Sequence, residues 1–419
     1  MRVPAFPSIV CMLLALAVPA SAETSPSDVD VEKAVQRACA LLVANQENYT
    51  PDPVVGGLPD DELVAWQKGE RERLDAIREN AATAASEWPY EGVYRIGPDG
   101  RIPPGYRVGG SAIVCEALLE ADGLDDERRE AILRSVDFML ERIHDDPRMA
   151  AKKQTKYDVR GWGQAYALKF FLRALEVELF EDAALETRVR ETIPHLIACL
   201  EESQVGGGGW NYAGRGSSPF MTASTLLALF HAEAAGYDVD AQMVEDALDA
   251  LERARGKNMA YAYSGSLQNP DLPMQGACAR SAIAELVLYR AGRSSVENLE
   301  RAVDGFFTEE NWRELRKRKS EQGTHARPYG IAPYYFFYGH AYAALAVEYL
   351  PEEKRDEYRR AMRGLLWRTI EANGGWNDRI FPRTESYSTA MSVLSLIAED
   401  LPEVKAWTSE AKTPVEAEL

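Results

Sequence analysis

The stretch Gly206-Gly207-Gly208-Gly209-Trp210-Asn211-Tyr212, running on into the segment Phe220 to Ala235, decides how this chain folds. Glycines let the backbone turn where a Cβ would clash, and a tryptophan directly after them supplies a large apolar ring to fasten the turn. Downstream, Thr222-Ala223-Ser224-Thr225-Leu226-Leu227-Ala228-Leu229 has no charged face, so the helix it forms is buried nearly all round. Upstream, Thr187 to Glu202 carries charge on one face and apolar residues at helical spacing on the other, the pattern of a helix half in water. One charged helix, one glycine–aromatic turn and one bland helix make a unit whose first helix packs outside its second.

The same grammar recurs along the chain. Val31 to Asn45 is followed by a long excursion, containing a further charged helix near Asp61 to Ser86. The excursion closes on Trp88-Pro89-Tyr90 and Pro103-Pro104-Gly105-Tyr106 before a bland helix from Gly109. Glu127 to Ile143 leads through Arg160-Gly161-Trp162-Gly163 into Gln164 to Glu176. Met243 to Arg255 passes Tyr261-Ala262-Tyr263 into Gly276 to Ala291, and Val296 to Phe307 passes a longer loop with His325 to Tyr329 into Pro333 to Tyr349. Glu352 to Glu371 ends in Gly374-Gly375-Trp376-Asn377-Asp378, followed by Ser386 to Ala398. The pattern predicts an all-α fold, an (α/α)6 toroid of six helical hairpins with inner and outer helix rings. The alternative is an open solenoid of the same pairs. That arrangement usually needs atypical polar units at its ends, and here the sixth unit closely matches the third.

Gly209-Trp210-Asn211-Tyr212 with its hydroxyl-rich helix, and Gly375-Trp376-Asn377 with Ser388-Thr389-Ala390-Met391, resemble the prenyltransferase and squalene-oxidase repeat. The likeness covers most of the chain and implies the α/α toroid of squalene cyclases and protein prenyltransferases. It does not extend to their chemistry. The cyclases protonate an alkene with a D-x-D-D motif, which neither Asp28-Val29-Asp30 nor Asp122-Gly123-Leu124-Asp125-Asp126 matches. Gln275-Gly276-Ala277-Cys278 reverses the order of the thioester in complement-like relatives and lacks its acid. The prenyltransferases hold zinc with an Asp-x-Cys at the start of one inner helix and a His at the start of the next. Cys278 and His340 match those positions, but Gly276 stands where the aspartate belongs. Two ligands do not make a zinc site, so no metal or other cofactor is expected, and Cys278 and His340 are weak candidates at most.

The first residues have the layout of a secretory signal peptide: Arg2, an apolar run from Ile9 to Val18, and Ala20-Ser21-Ala22 for cleavage. Residues 1–22 are therefore read as the signal, 23–403 as the toroid domain with an insertion at about 46–106, and 404–419 as a disordered acidic tail. The expected location is secreted or periplasmic, without stable membrane insertion after signal cleavage. A formal charge of −19 over 419 residues repels phosphate backbones, so nucleic acid is not an expected partner. Cys39, Cys115, Cys199 and Cys278 lie far apart within apolar helical patterns and read as buried thiols.

Function falls to the turns before the inner helices, which in a toroid share one mouth of the cavity. Arg160, Arg280, Arg327, Tyr329, Arg379 and Tyr387 are the ligand-binding candidates. Tyr106, Arg107, Tyr157, Asp158 and Glu385 belong to the same set. Polysaccharide lyases on related toroids neutralise a carboxylate with a cation and move the proton with a tyrosine. His325, Tyr335, Tyr338 and Arg379 are the catalytic candidates on that pattern. Arginines and six helix N-termini at one rim predict an electropositive, tyrosine-lined funnel for a small-molecule or glycan ligand. The plainer alternative pairs these arginines with Asp158, Asp378 and Glu385 to lock the loops. Two functions stand: an exported toroid that binds a ligand or partner without catalysis, and a polysaccharide lyase-like or other enzyme acting on a glycan or isoprenoid.

Overall fold

The computed structural model describes residues 26–49, 72, 74–76, 85–91, 101–150, 159–212, 216–317, 329–378 and 381–408. Among the described residues six outer helices alternate with six inner ones. The outer set is α1 (Asp28–Ala44), α3 (Asp126–Asp145), α5 (Ala183–Ser203), α7 (Ala241–Ala254), α9 (Val296–Phe307) and α12 (Glu352–Trp367). The inner set is α2 (Pro104–Glu120), α4 (Arg160–Glu176), α6 (Pro219–Ala234), α8 (Cys278–Arg290), α11 (Tyr335–Val347) and α13 (Glu385–Leu396). A further short helix, α10 (Glu309–Lys317), follows α9 where only a long loop was expected. The charged helix expected at Asp61 to Ser86, like the signal segment, lies largely or wholly outside the described residues.

Neighbouring inner helices pack in the order α2, α4, α6, α8, α11, α13, and α13 packs back on α2. That last contact closes the ring and rules out the open solenoid. Burial follows the sequence grammar: nearly every residue of α6, α11 and α13 is buried, whereas α3, α7 and α12 bury one stripe. The helix starts differ as well. Outer helices begin at the base of the ring, where Ser27, Asp125, Asp182, Asp240 and Ser295 cap α1, α3, α5, α7 and α9 by accepting from backbone N–H groups. Inner helices begin at the mouth, and none has a side-chain cap.

One construction is repeated three times at the mouth. The indole N–H of Trp88, Trp210 and Trp376 donates to a carbonyl near the end of the outer helix, Leu42 O at 2.7 Å, Leu200 O at 2.8 Å and Leu366 O at 3.0 Å. The backbone N–H of the same three residues donates to a hydroxyl on the inner helix, Ser111, Thr222 and Thr389, at 2.9, 3.0 and 2.9 Å. Each tryptophan thus ties both helices of its unit to the turn between them. Gly209 precedes Trp210 at φ +78°, and a Cβ there would sit 2.6 Å from Thr222 Oγ1, so only glycine brings the ring to its place.

The tail expectation needs correction at its start. Residues 404–408 are not a loose end; they cross the base as a strap. Val404 N–H donates to Tyr349 Oη at 2.5 Å, Lys405 pairs with Glu176 at 3.0 Å, and Trp407 N–H donates to Arg290 O at 3.1 Å. The Trp407 ring stacks on Phe230 with centroids 5.7 Å apart, and its indole donates to Glu245 at 2.7 Å. Residues 409–419 are outside the described residues. Cys39, Cys115, Cys199 and Cys278 are buried free thiols, as expected; burial pushes Cys115 and Cys278 up to about 12.

Candidate functional site

Each stapled ring sets the direction of the residue two places on. Tyr90, Tyr212 and Asp378 follow Trp88, Trp210 and Trp376 in this way, and Tyr263 follows Tyr261, whose hydroxyl is tied to Glu285 at 2.6 Å. These positions gather at the mouth with the first turns of the inner helices. Tyr90, Tyr106, Trp162 and Tyr387 form one aromatic wall, with Tyr90–Tyr387 centroids 4.4 Å apart, Tyr90–Tyr106 5.5 Å and Tyr106–Trp162 5.6 Å. Tyr212, Phe220 and Tyr334 form the other. Between them, with Val159 and Met221, lies a cleft of about 340 Å³ including its open side.

Both walls carry polar groups. On the first, Tyr90 Oη donates to Asp378 Oδ2 at 3.2 Å. Asp378 is fully buried, and its backbone N–H donates to Ser388 Oγ at 2.9 Å. Its neighbour Asn377 donates to Phe381 O at 3.0 Å, so the carboxylate is held in place. On the second wall the hydroxyls of Tyr212, Tyr263 and Tyr334 form a triangle, with Tyr212–Tyr334 at 2.6 Å and Tyr263–Tyr334 at 3.2 Å. Burial raises the phenols of Tyr212 and Tyr334 far above their ordinary value, so both are neutral hydrogen-bonding groups. Burial does the same for Tyr387, with the charge of Asp378 adding to it.

Below the cleft the axis is filled. Tyr338 Oη donates to Phe220 O at 3.0 Å, and the hydroxyls of Tyr166 and Tyr342 meet at 2.9 Å. Deeper still, Lys169 pairs with Glu116 at 2.6 Å. Among the described residues the mouth is therefore a shallow cup and not a tunnel. At the base, a separate recess of about 520 Å³ is roofed by the strap and lined by Glu116, Lys169, Glu176 and His231. Burial lowers His231 to about 4, although Glu176 at 3.5 Å opposes the shift.

The seam between the sixth and first units carries buried ion pairs beside the cup. Arg383 meets Glu47 at 2.6 Å and Arg107 meets Glu87 at 2.5 Å, and both guanidiniums lie over the Tyr49 ring. Glu385 accepts from Asn45 at 3.1 Å and Asn373 at 2.8 Å. Those contacts assign Glu385 to ring closure and Arg107 to bracing the first unit's own turn.

Several site expectations change. Arg280 is buried, and its guanidinium donates to Tyr261 O at 2.7 Å, Gly276 O at 2.6 Å and Ala262 O at 3.1 Å. It locks the fourth turn and does not face a ligand. Arg160 is likewise buried and donates to Ala150 O. Tyr338 is a floor residue, as its bond to Phe220 O shows, and Tyr335 is buried beneath Tyr334. Tyr329 packs against Gly276, where any Cβ would lie 2.8 Å from Tyr329 O; that contact explains why no aspartate stands there. His340 uses both ring nitrogens, accepting from Trp312 Nε1 at 2.9 Å and donating to Phe336 O at 2.7 Å, and burial lowers it to about 4. The ring fastens α10 to α11 and has no lone pair left for a metal. Among the described residues no cluster of three or more His, Cys, Asp or Glu side chains could hold a metal ion.

Tyr387 and Tyr106 line the cleft. His325, Arg327, Arg379, Tyr157 and Asp158 lie outside the described residues. Sequence reasoning passed over Tyr90, Trp162, Tyr212, Phe220 and Tyr334 as site residues and treated Asp378 only as a partner for arginine. The signal for Tyr90, Tyr212 and Asp378 was present: each stands two residues after a turn tryptophan.

No family model matches the chain, and no curated protein matches it. Among solved structures it is similar to a D-mannose isomerase, with a TM-score of 0.51 and 12% identity over 90% of this chain and 98% of that one. It is also similar to a possible member of the GH105 family from Salmonella enterica serovar Paratyphi A, with a TM-score of 0.45 and 13% identity over 95% and 99% of the two chains. The first similarity bears on the fold, which is the α/α toroid read from the repeats.

Proposed function

We propose that this chain takes a sugar ring between the two aromatic walls of its mouth and acts on carbohydrate there. The cleft carries the reading: seven aromatic side chains line it, five of them tyrosines whose hydroxyls are the polar groups of otherwise apolar walls. Sugar rings present apolar C–H faces to aromatic rings while their hydroxyls bond at the edge, which is what such a cleft offers. A bare isoprenoid would set the cleft's phenol hydroxyls against hydrocarbon, an arrangement that costs free energy. Arg160 and Arg280 are engaged with carbonyls, and the chain's charge of −19 slows approach of a polyanion, so a polyuronate fits less well than an uncharged sugar. The similarity to an enzyme named for D-mannose supports a sugar substrate; prenyltransferase or cyclase chemistry draws no support from either comparison.

Titration of the protein with mono- and oligosaccharides, followed by tryptophan fluorescence and by NMR of the sugar for turnover, tests the proposal. Binding is expected, with Trp162→Ala weakening it by about tenfold or more, the loss of one stacking partner. Failure of every sugar to bind below about 10 mM overturns it. On the layout of Arg2 to Ala22 we also propose export; an N-terminus at Glu23 in protein from the native host is the expected mass-spectrometric result.

A further inference from the structure

We propose that the recess at the base of the ring, beneath the strap, is a second binding site, for an apolar α-amino acid. The proposal does not depend on the carbohydrate reading, because the recess shares no residue with the mouth cleft. Glu116 on α2, Lys169 and Glu176 on α4, His231 on α6 and Lys405 on the strap all line its space of about 520 Å³. Among the described residues Lys169 and Glu116 pair at 2.6 Å, and their side chains make no other hydrogen bond or ion pair. An ammonium has three donors, and Lys169 keeps 25% of its side-chain surface exposed, so it can take a further partner. The His231 ring meets Glu176 at 3.5 Å, too long for a full hydrogen bond. Burial keeps that ring uncharged at neutral pH, so it can donate at one nitrogen and accept at the other.

The lining decides the class of ligand. Desolvation offsets much of the attraction in a sheltered ion pair, so an apolar pair would serve packing at this place at least as well. Charges kept there point to a use for them. A bare anion would meet the carboxylates of Glu116 and Glu176 and the negative C-terminal ends of the inner helices. A bare cation would meet the ammonium groups of Lys169 and Lys405. A molecule with one charge of each sign can set its carboxylate on a lysine and its ammonium on a glutamate, and both bonds are charge-assisted. Leu227 and Leu345 from the inner helices, with Leu401 and Val404 from the strap, supply apolar surface for the rest of it. An apolar α-amino acid carries these three parts in a small frame.

The experiment is calorimetry on the unmodified protein at neutral pH with leucine, valine, methionine and phenylalanine. At least one is expected to bind below about 1 mM. Its counterparts lacking the amine or the carboxylate, for leucine 4-methylpentanoate and isopentylamine, should each bind about tenfold weaker or more, the loss of one charge-assisted bond. Glycine, without the apolar side chain, should fall by a similar factor of about ten. The double variant Glu116→Gln, Lys169→Met leaves neither charge orphaned, and it should lose about tenfold or more in affinity with an unchanged circular dichroism spectrum. Failure of all four amino acids to bind below about 10 mM overturns the proposal. So does a singly charged counterpart that binds as tightly as the amino acid, or an affinity that survives in the double variant. If the double variant does not fold, the comparison of the amino acid with its counterparts on the unmodified protein decides alone. Sugar binding at the mouth, present or absent, bears only on the carbohydrate reading.

Discussion

At the base of the ring the chain passes from inner to outer helix in four to six residues, while at the mouth it returns through turns of fourteen residues or more. The short base turns satisfy themselves locally. Asp125, Asp182 and Asp240 cap the next helix, and Arg293 gathers Glu245, Asp249 and Glu252. Three of the long mouth turns are fastened by a buried tryptophan, each two residues before Tyr90, Tyr212 or Asp378, and a fourth is locked by Arg280. The comparison teaches that the short base turns close on their own caps, whereas the long mouth turns depend on groups buried beneath them.

That contrast can be broken most severely at the mouth staples. Trp376→Ala and Trp210→Ala should each lower unfolding free energy by about 3–5 kcal/mol in urea titrations, because each empties a buried site and orphans the carbonyl of Leu366 or Leu200. Neutral results would mean the turns are held by something else. Acid comes next. Burial keeps His340 neutral in the fold, at about 4 against an ordinary 6.5, so the unfolded chain takes up a proton first as pH falls. The associated stability is complete above about pH 6.5 and is lost as pH falls towards 4, amounting to about 3 kcal/mol. His340→Gln should flatten the pH dependence of stability in that window. The phenols of the cleft stay neutral across it, so sugar affinity should change less than stability does.

The strap gives a milder test at the base. Trp407→Ala should cost about 1.5–3 kcal/mol, the transfer of one large side chain, while leaving sugar affinity at the opposite mouth unchanged within a factor of about two. Coupling between the two ends would refute their independence. The smallest effect is expected from Lys405→Ala. Its pair with Glu176 is about one-third exposed on both sides, so a loss of about 0.5 kcal/mol, further reduced by salt, should be measured by thermal melts.

The inner and outer rings were legible because their signals are local: a helix without a charged face has only one place to go, and glycine before tryptophan marks a fastened turn. The strap was not legible. The polar, proline-broken stretch Lys412 to Leu419 read as disorder back to Val404, and what holds the Trp407 ring is Phe230 and Glu245, far back in the chain. The arginines misled for a related reason. Arg280 and a ligand-facing arginine look alike in sequence, and only the carbonyls of Tyr261, Ala262 and Gly276 reveal which one it is. Tyr106 and Tyr387 were found because they sit at inner-helix starts. Trp162 was read as part of a turn, yet it stands on the first turn of α4, above Gly109, whose Cβ would lie 2.4 Å from the indole.

The contact of α13 with α2 has a consequence in time. Glu47 and Arg383, which meet across that seam, are 336 residues apart in sequence. At ribosomal rates of about 5–20 residues per second, Glu47 waits roughly 20–70 seconds for its partner to be made. Throughout that interval the first inner helix lacks its partner on one flank, and the ring cannot close before the sixth hairpin exists. Joining such distant segments carries a large loop-closure cost, so closure of the seam should be the slow step of folding and the unclosed arc the species that aggregates.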